Sequence, residues 1–184
     1  MNKKHGSQIG GDQIITRISL IERYSRHNED SDWRFRAFLK ADSSRSNEQV
    51  DAIVREETDR VWSRIDCTTC ANCCRKLQIV VDNADINRLA ARLGMPVAEF
   101  EKRYVARDKE LGGRSFASSP CAFLGEDNRC AVYEDRPQAC RDYPYLHEPE
   151  FRRRSINMVV NTAVCPIVFN VWRALKQRLW KRAR

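Results

Sequence analysis

Apolar residues recur at three- and four-residue steps in several stretches of the chain, and each stretch carries a start or stop signal. Val50, Ile53, Val54, Val61, Trp62 and Ile65 follow Ser46 and Asn47, which predicts a capped helix from Asn47 onward. Asp82 and Asn83 are capping residues for a second helix bearing Ile86, Leu89, Ala90 and Leu93, which Gly94 closes as a left-handed cap. Pro96 suits the first turn of a third, with Val97, Phe100 and Tyr104 on its apolar face, and Gly112-Gly113 then breaks the chain. Pro166 opens a terminal helix with Ile167, Val168, Val171, Leu175 and Leu179 on one side. Near the amino terminus, Ile14, Ile18 and Ile21 outline a short helix over residues 12–24.

Other segments read as extended or irregular. Leu77–Val81 is a short apolar run, and Ile156, Met158 and Val160 alternate as a strand would. Residues 118–133 read as two short strands or loops joined by a turn at Gly125–Asn128, which would bring Cys121 and Cys130 close together. Arg136-Pro137 starts a short helix carrying Cys140. The expected fold is a small, α-rich, irregular α+β domain organised around a cysteine-ligated metal site. It divides into a mobile or weakly structured segment (1–46), a cysteine-cluster domain (47–165) and a basic amphipathic carboxy-terminal helix (166–184).

Charge sharpens the reading of that last segment. The net charge is +8, yet residues 152–184 hold nine Lys or Arg and no Asp or Glu, so the first 151 residues carry −1. Such a tail suits an acidic protein partner, nucleic acid or a membrane surface, or it is a solvated helix face. Charged residues make up 32% of the chain and apolar ones 42%, which implies a modest core that ligation would help to hold. No run is long or apolar enough for a signal peptide or a transmembrane span, so a cytoplasmic protein is expected.

The eight cysteines then dominate. Cys67-x2-Cys70-x2-Cys73-Cys74 is followed by Cys121, Cys130, Cys140 and Cys165. In a reducing compartment such clustering points to metal ligands or redox groups rather than disulfides. Zinc needs four ligands, often as two C-x2-C knuckles, and only one such pair stands clear here. An iron–sulfur cluster, possibly 4Fe-4S, takes three ligands from C-x2-C-x2-C and a fourth from a remote cysteine, for which Cys165-Pro166 qualifies. Cys74 fits neither count. Adjacent side chains diverge, so Cys73 and Cys74 should serve different roles or different metals. Eight thiolates suffice for two sites, and one site with spare structural cysteines is the alternative.

These residues resemble the cysteine-cluster proteins of the YkgJ type, a zinc- or iron-chelating family with a CxxCxxCC signature. The resemblance spans about residues 62–165 and rests on Cys67-Thr-Thr-Cys-Ala-Asn-Cys-Cys74, Pro120-Cys-Ala-Phe-Leu124, Arg129-Cys-Ala-Val-Tyr133 and Arg136-Pro-Gln-Ala-Cys-Arg-Asp-Tyr-Pro144. It implies metal or cluster binding by the cysteines. One branch is similar to flagellin lysine methylases, which are longer and carry a methyl-donor site not evident here.

Around the cysteines, Arg136 and Arg141 are placed to offset thiolate charge and tune a redox potential, or to pair with Glu134 and Asp135. Asp66 and Asn72 are hydrogen-bonding neighbours or surface residues, and His147 is a substitute zinc ligand. Trp62, Trp172 and Trp180 fall on helical faces. No phosphate loop, H-E-x-x-H or G-x-S-x-G motif is present, which excludes the usual nucleotidase, zinc-protease and serine-hydrolase signatures. Three functions follow, in order: an iron–sulfur protein of redox or cluster-assisted chemistry, a structural zinc module that binds an acidic partner or nucleic acid, and protein-lysine methyl transfer.

Overall fold

A computed structural model describes residues 13–107 and 113–180. The chain forms two compact units: Met1–Ile65 with Leu146–Arg184, and Asp66–Tyr145. Residues 47–65 and 146–165, which the sequence grouped with the cysteines, thus belong to the first unit together with both ends of the chain.

The first unit is helical. α1 (Ile18–Ala41) is the longest helix, and it runs through much of the segment expected to be weakly structured. Its polar stretch conceals widely spaced core positions, Ile21, Phe35 and Leu39, all fully buried. α2 (Asn47–Trp62) begins where its cap predicts: Ser46 Oγ accepts from the Gln49 amide, and the Gln49 side chain accepts from the Ser46 amide. α7 (Phe151–Asn161) replaces the strand expected from alternating Ile156, Met158 and Val160. Ile156 and Val160 are exposed, while Phe151, Ser155, Met158 and Val159 are buried at helical spacing. The start of α7 has no cap of its own; buried Asp51 of α2 supplies one by accepting from the amides of Glu150 and Phe151.

α8 (Pro166–Leu175) continues as a π-helical turn over Lys176–Trp180. Pro166 through Trp172 are all buried, so it is a central helix packed with α1, α2 and α7. Trp172 meets Phe35 edge-on at 5.0 Å and donates to the buried Asp32 carboxylate, which also takes the Lys176 ammonium at 2.7 Å. Trp180 is half-buried and lies 5.8 Å from Phe35. Among the described residues, no helix is long and apolar enough to cross a membrane.

The second unit is built from short pieces. α3 (Asn72–Lys76) follows a 3-10 turn at Cys67–Thr69. α4 (Asn83–Arg92) starts with a reciprocal Asp82–Asp85 cap and ends at Gly94, whose φ of +63° is the left-handed value expected there. α5 (Val97–Tyr104) leads into β1 (Val105–Arg107), which pairs antiparallel with β2 (Arg114–Phe116). The extended run before α4 lies along the other edge of β2, through Val81 N–H to Arg114 C=O and Phe116 N–H to Ile79 C=O. The Gly112-Gly113 break falls between the strands, with Gly112 outside the described residues, as is the whole lead-in 1–12. The small core holds Ile86, Leu89, Phe100, Phe116, Phe123 and Val132, with Phe123 against Tyr104 at 5.0 Å and Phe116 at 5.3 Å. The α-rich α+β class holds.

Candidate metal centre

Seven of the eight cysteines lie in Asp66–Tyr145, and none of the eight is in a disulfide. Cys67 is exposed, and Cys70, Cys73, Cys74, Cys121, Cys130 and Cys140 are half-buried. Cys165 is buried in the helical unit, at the N-cap of α8.

Cys121 and Cys130 are set by the same device. Each begins a Cys-Ala-apolar triplet whose third residue, Phe123 or Val132, is buried in the small core. The amide of that third residue donates to the thiolate two positions earlier, which favours its ionised form. The two triplets are joined by Ala131 N–H to Phe123 C=O and by a bridge between Leu124 and Cys130. Gly125 makes the turn between them: a Cβ there would lie 2.7 Å from Asp127 Oδ1. Cys74 is drawn to the same place, because the Cys121 amide donates to the Cys74 carbonyl at 2.8 Å.

Cys140 sits in α6 (Gln138–Asp142), whose approach is fastened by α4. Buried Asp85 accepts from the Gln138 amide at 3.0 Å and pairs with Arg88 at 2.7 Å; Arg88 in turn donates to the carbonyls of Asp135 and Arg136. Asp85 and Arg88 were not foreseen from the sequence. Their signal was present as an i,i+3 acid–base pair on the inner side of a capped helix. Arg75 was also missed; it donates to the Cys70 carbonyl and to the Asn128 side chain.

The thiols act on one another. Burial pushes the Cys140 thiol up to about 12, and the charges of Cys74, Cys121 and Cys130 add to the rise. Burial likewise raises Cys121, with Cys74 and Cys130 contributing, and raises Cys130, with Cys74 contributing. Cys74 goes the other way, to about 7, because the Cys73 thiol 3.9 Å away donates to it and Arg75 and its own amide assist. The Cys73 and Cys74 side chains do not diverge as expected for neighbours: their sulfurs lie 3.9 Å apart. Although the residue as a whole is exposed, partial desolvation raises the Cys67 thiol, and Asp66 and Cys70 add to the rise.

Arg136 works against these increases at Cys67, Cys130 and Cys140. Its guanidinium stacks 3.9 Å over the Tyr133 ring and donates to the Tyr133 carbonyl. Arg141 donates to the carbonyls of Arg136 and Glu134 rather than to a neighbouring carboxylate. Asp66 caps the 3-10 turn through Thr68, and Asn72 is buried rather than on the surface.

Other anticipated residues are engaged elsewhere. His147 pairs with Asp59 at 2.9 Å and lies on Trp62, all three in the helical unit. His27 is an exposed residue of α1, and His5 is outside the described residues. The six described cations of the basic tail have partners within the helical unit. Arg152 binds Asn47 and two carbonyls, Arg153 meets Glu150, Arg154 donates to the carbonyls of Pro149 and Glu148, Arg173 binds Asn170, Lys176 binds Asp32, and Arg178 bridges Glu56 and Glu57.

Comparison with known families decides the affiliation. The sequence model of the CxxCxxCC family, described as a "putative zinc- or iron-chelating domain", matches residues 66–166, more than half of the chain. The chain belongs to this CxxCxxCC family. No curated protein and no solved structure gave a match. The CxxCxxCC match covers all eight cysteines and begins at the first residue of the cysteine unit.

The donor set suits the metals of the CxxCxxCC description. Seven thiols in one unit, none in a disulfide, are soft ligands, the chemistry that zinc and iron–sulfur centres use. Among the described residues, no three Cys, His, Asp or Glu side chains converge on a point that one ion would occupy.

Proposed function

We propose that residues 66–145 hold an iron–sulfur cluster on the thiolates of Cys74, Cys121, Cys130 and Cys140, with a redox or cluster-assisted role. The observation that supports this is the backbone geometry that brings the segments together, with the Cys121 amide on the Cys74 carbonyl at 2.8 Å and the Cys121 and Cys130 triplets bridged to each other; the charge of Cys74 bears on Cys121, Cys130 and Cys140 alike. Ionising all four without a cation among them is unfavourable, and a soft cation reverses the balance, since a coordinating thiol is deprotonated outright. The four come from separate segments positioned by backbone and core contacts.

We rank iron–sulfur ahead of zinc because the four thiols come from several loops. Zinc draws four sulfurs to about 2.3 Å from one point. A cluster takes its thiolates on separate iron atoms, which suits four sulfurs spread over several loops and within electrostatic reach. Bound there, a cluster would supply one-electron transfer. The chain's own contributions are the Phe123 and Val132 amides on two sulfurs and the Arg136 charge near Cys130 and Cys140, both of which tune such a potential.

Anaerobic purification with iron, zinc and sulfide analysis tests the reading. Brown protein with iron, acid-labile sulfide and broad absorbance near ~400 nm is expected. Colourless protein holding stoichiometric zinc and no sulfide would replace the cluster with the zinc alternative on the same unit.

A further inference from the structure

Cys73 lies outside the four-thiol set and yet touches it. Its sulfur is 3.9 Å from that of Cys74, the thiol whose charge bears on Cys121, Cys130 and Cys140 alike. Both residues are half-buried and neither is in a disulfide. A disulfide bond is about 2.05 Å long, so the two sulfurs stand roughly 2 Å from bonding distance. Contact at this range puts the Cys73 thiol where it can reach an oxidised Cys74.

The backbone decides what closing that bond does. Cα atoms of adjacent residues are fixed at about 3.8 Å, less than the about 4.4–6.8 Å that a disulfide usually spans. The peptide between Cys73 and Cys74 has to take up the difference, and that peptide lies inside α3. Its carbonyl accepts from the Leu77 amide at 2.8 Å, which closes the end of the helix. α3 is only five residues long and follows Ala71, a buried alanine whose φ of +52° is a left-handed value reached at a cost. The next carbonyl along, that of Cys74, accepts from the Cys121 amide at 2.8 Å. A Cys73–Cys74 bond thus takes the Cys74 sulfur out of the set and loosens the backbone contact that holds Cys121 beside it.

We propose that Cys73 and Cys74 are a peroxide-reactive dithiol with Cys73 as the resolving thiol, and that its closure in the metal-free chain blocks loading of the centre. The proposal rests on the reading of Cys74 as a ligand. A hydroperoxide transfers one oxygen to the Cys74 thiol, giving the sulfenic acid, and leaves as an alcohol, or as water where the oxidant is hydrogen peroxide. The Cys73 sulfur then displaces the sulfenic hydroxyl, which departs with the Cys73 proton as water. Two thiols lose two electrons and one peroxide bond gains them. An adjacent-residue disulfide is strained and therefore readily reduced by another thiol, so the block is reversible.

The test uses the full chain stripped of metal by a chelator without oxygen, with hydrogen peroxide as the oxidant and Zn2+ as the loading probe. Wild type treated with peroxide, alkylated with N-ethylmaleimide and digested should yield a Cys73–Cys74 peptide lighter by two hydrogens. Its Zn2+ affinity should fall at least ~10-fold and return after dithiothreitol. Amide exchange over residues 119–124 should rise on oxidation and fall again on reduction. The Cys73→Ala variant should load Zn2+ as wild type does before peroxide. With excess peroxide its Cys74 should pass on to the sulfinic acid, and dithiothreitol should not restore uptake. A peroxide-induced bond between Cys67 and Cys70, or from Cys73 or Cys74 to any other cysteine, overturns the proposal. So does a Cys73→Ala variant that recovers as wild type does, or one that loads no Zn2+ untreated, because Cys73 is then a ligand. A mapped Cys73–Cys74 bond that leaves Zn2+ affinity unchanged would instead remove Cys74 from the ligand set and leave the dithiol standing.

Discussion

The two units of this chain are stabilised by different means. The helical unit has long helices and a shared apolar core running through Phe35, Val54, Phe151 and Trp172, and its polar groups are answered internally, as at Asp32–Lys176 and Asp51 with the start of α7. The cysteine unit has helices of ten residues or fewer, three-residue strands and a long loop path from Phe116 to Tyr133 with no regular element. Its core is small, and its half-buried positions are occupied by thiols that repel when charged. One unit is complete as a folded chain; the other is arranged so that a bound metal would add what its core lacks.

Breaking the ligand set should show the contrast most strongly. Replacing Cys74 or Cys140 by Ser is expected to abolish stoichiometric metal binding and the ordering it gives, on the order of 10 kcal/mol for a structural metal. Amide hydrogen exchange should then show lost protection in residues 66–145 and retained protection in α1, α2 and α8. The converse variant, Phe35→Ala, empties a fully buried site beside Trp172 and should destabilise the helical unit by about 3–5 kcal/mol. Denaturation should register that loss while metal per folded chain stays unchanged.

A subtler variant acts on a residue that positions a thiol. Asp85→Ala removes the acceptor for the Gln138 amide and the partner of Arg88, loosening the seat of Cys140. About 10-fold to 100-fold weaker metal binding is expected by competition with a chelator, as for other groups that orient a ligand.

The smallest effect concerns pH. Cys74 is lowered from 9.0 to about 7 in the folded chain, so its thiolate favours the folded apo form. That contribution is complete above pH 9 and is lost as pH falls through about 7. In metal-free protein, Cys74 should alkylate first with a midpoint near 7, and Cys140, pushed up to about 12, should lag. Cys73→Ala removes the thiol donor and should move the Cys74 midpoint back toward 9.0.

Much of this architecture was readable from local signals. Ser46, Asp82 and Gly94 mark helix ends by chemistry confined to a few residues, and they fall where the sequence places them. What escaped depended on partners far along the chain. α1 is long because it packs on α7 and α8, with Phe35 against Trp172 more than a hundred positions away, a relation that its polar sequence hides. The sequence over α7 reads as a strand because Ile156 and Val160 share an alternation with Met158, yet of the three only Met158 is buried. The cysteines announced themselves by spacing. Their grouping did not, because it is made by the turn at Ala71, the Cys121–Cys74 backbone bond and the Asp85–Arg88 clamp. The basic tail misled in the same way: its described cations answer acids and carbonyls of their own unit.

The central claim is that inner thiolates hold the metal. X-ray absorption at the metal edge of the anaerobically purified full chain tests it most directly. The prediction is an all-sulfur first shell around iron with a neighbouring iron scatterer, and both features vanishing in the Cys74→Ser variant. A first shell of nitrogen and oxygen, or an unchanged spectrum in that variant, would contradict it.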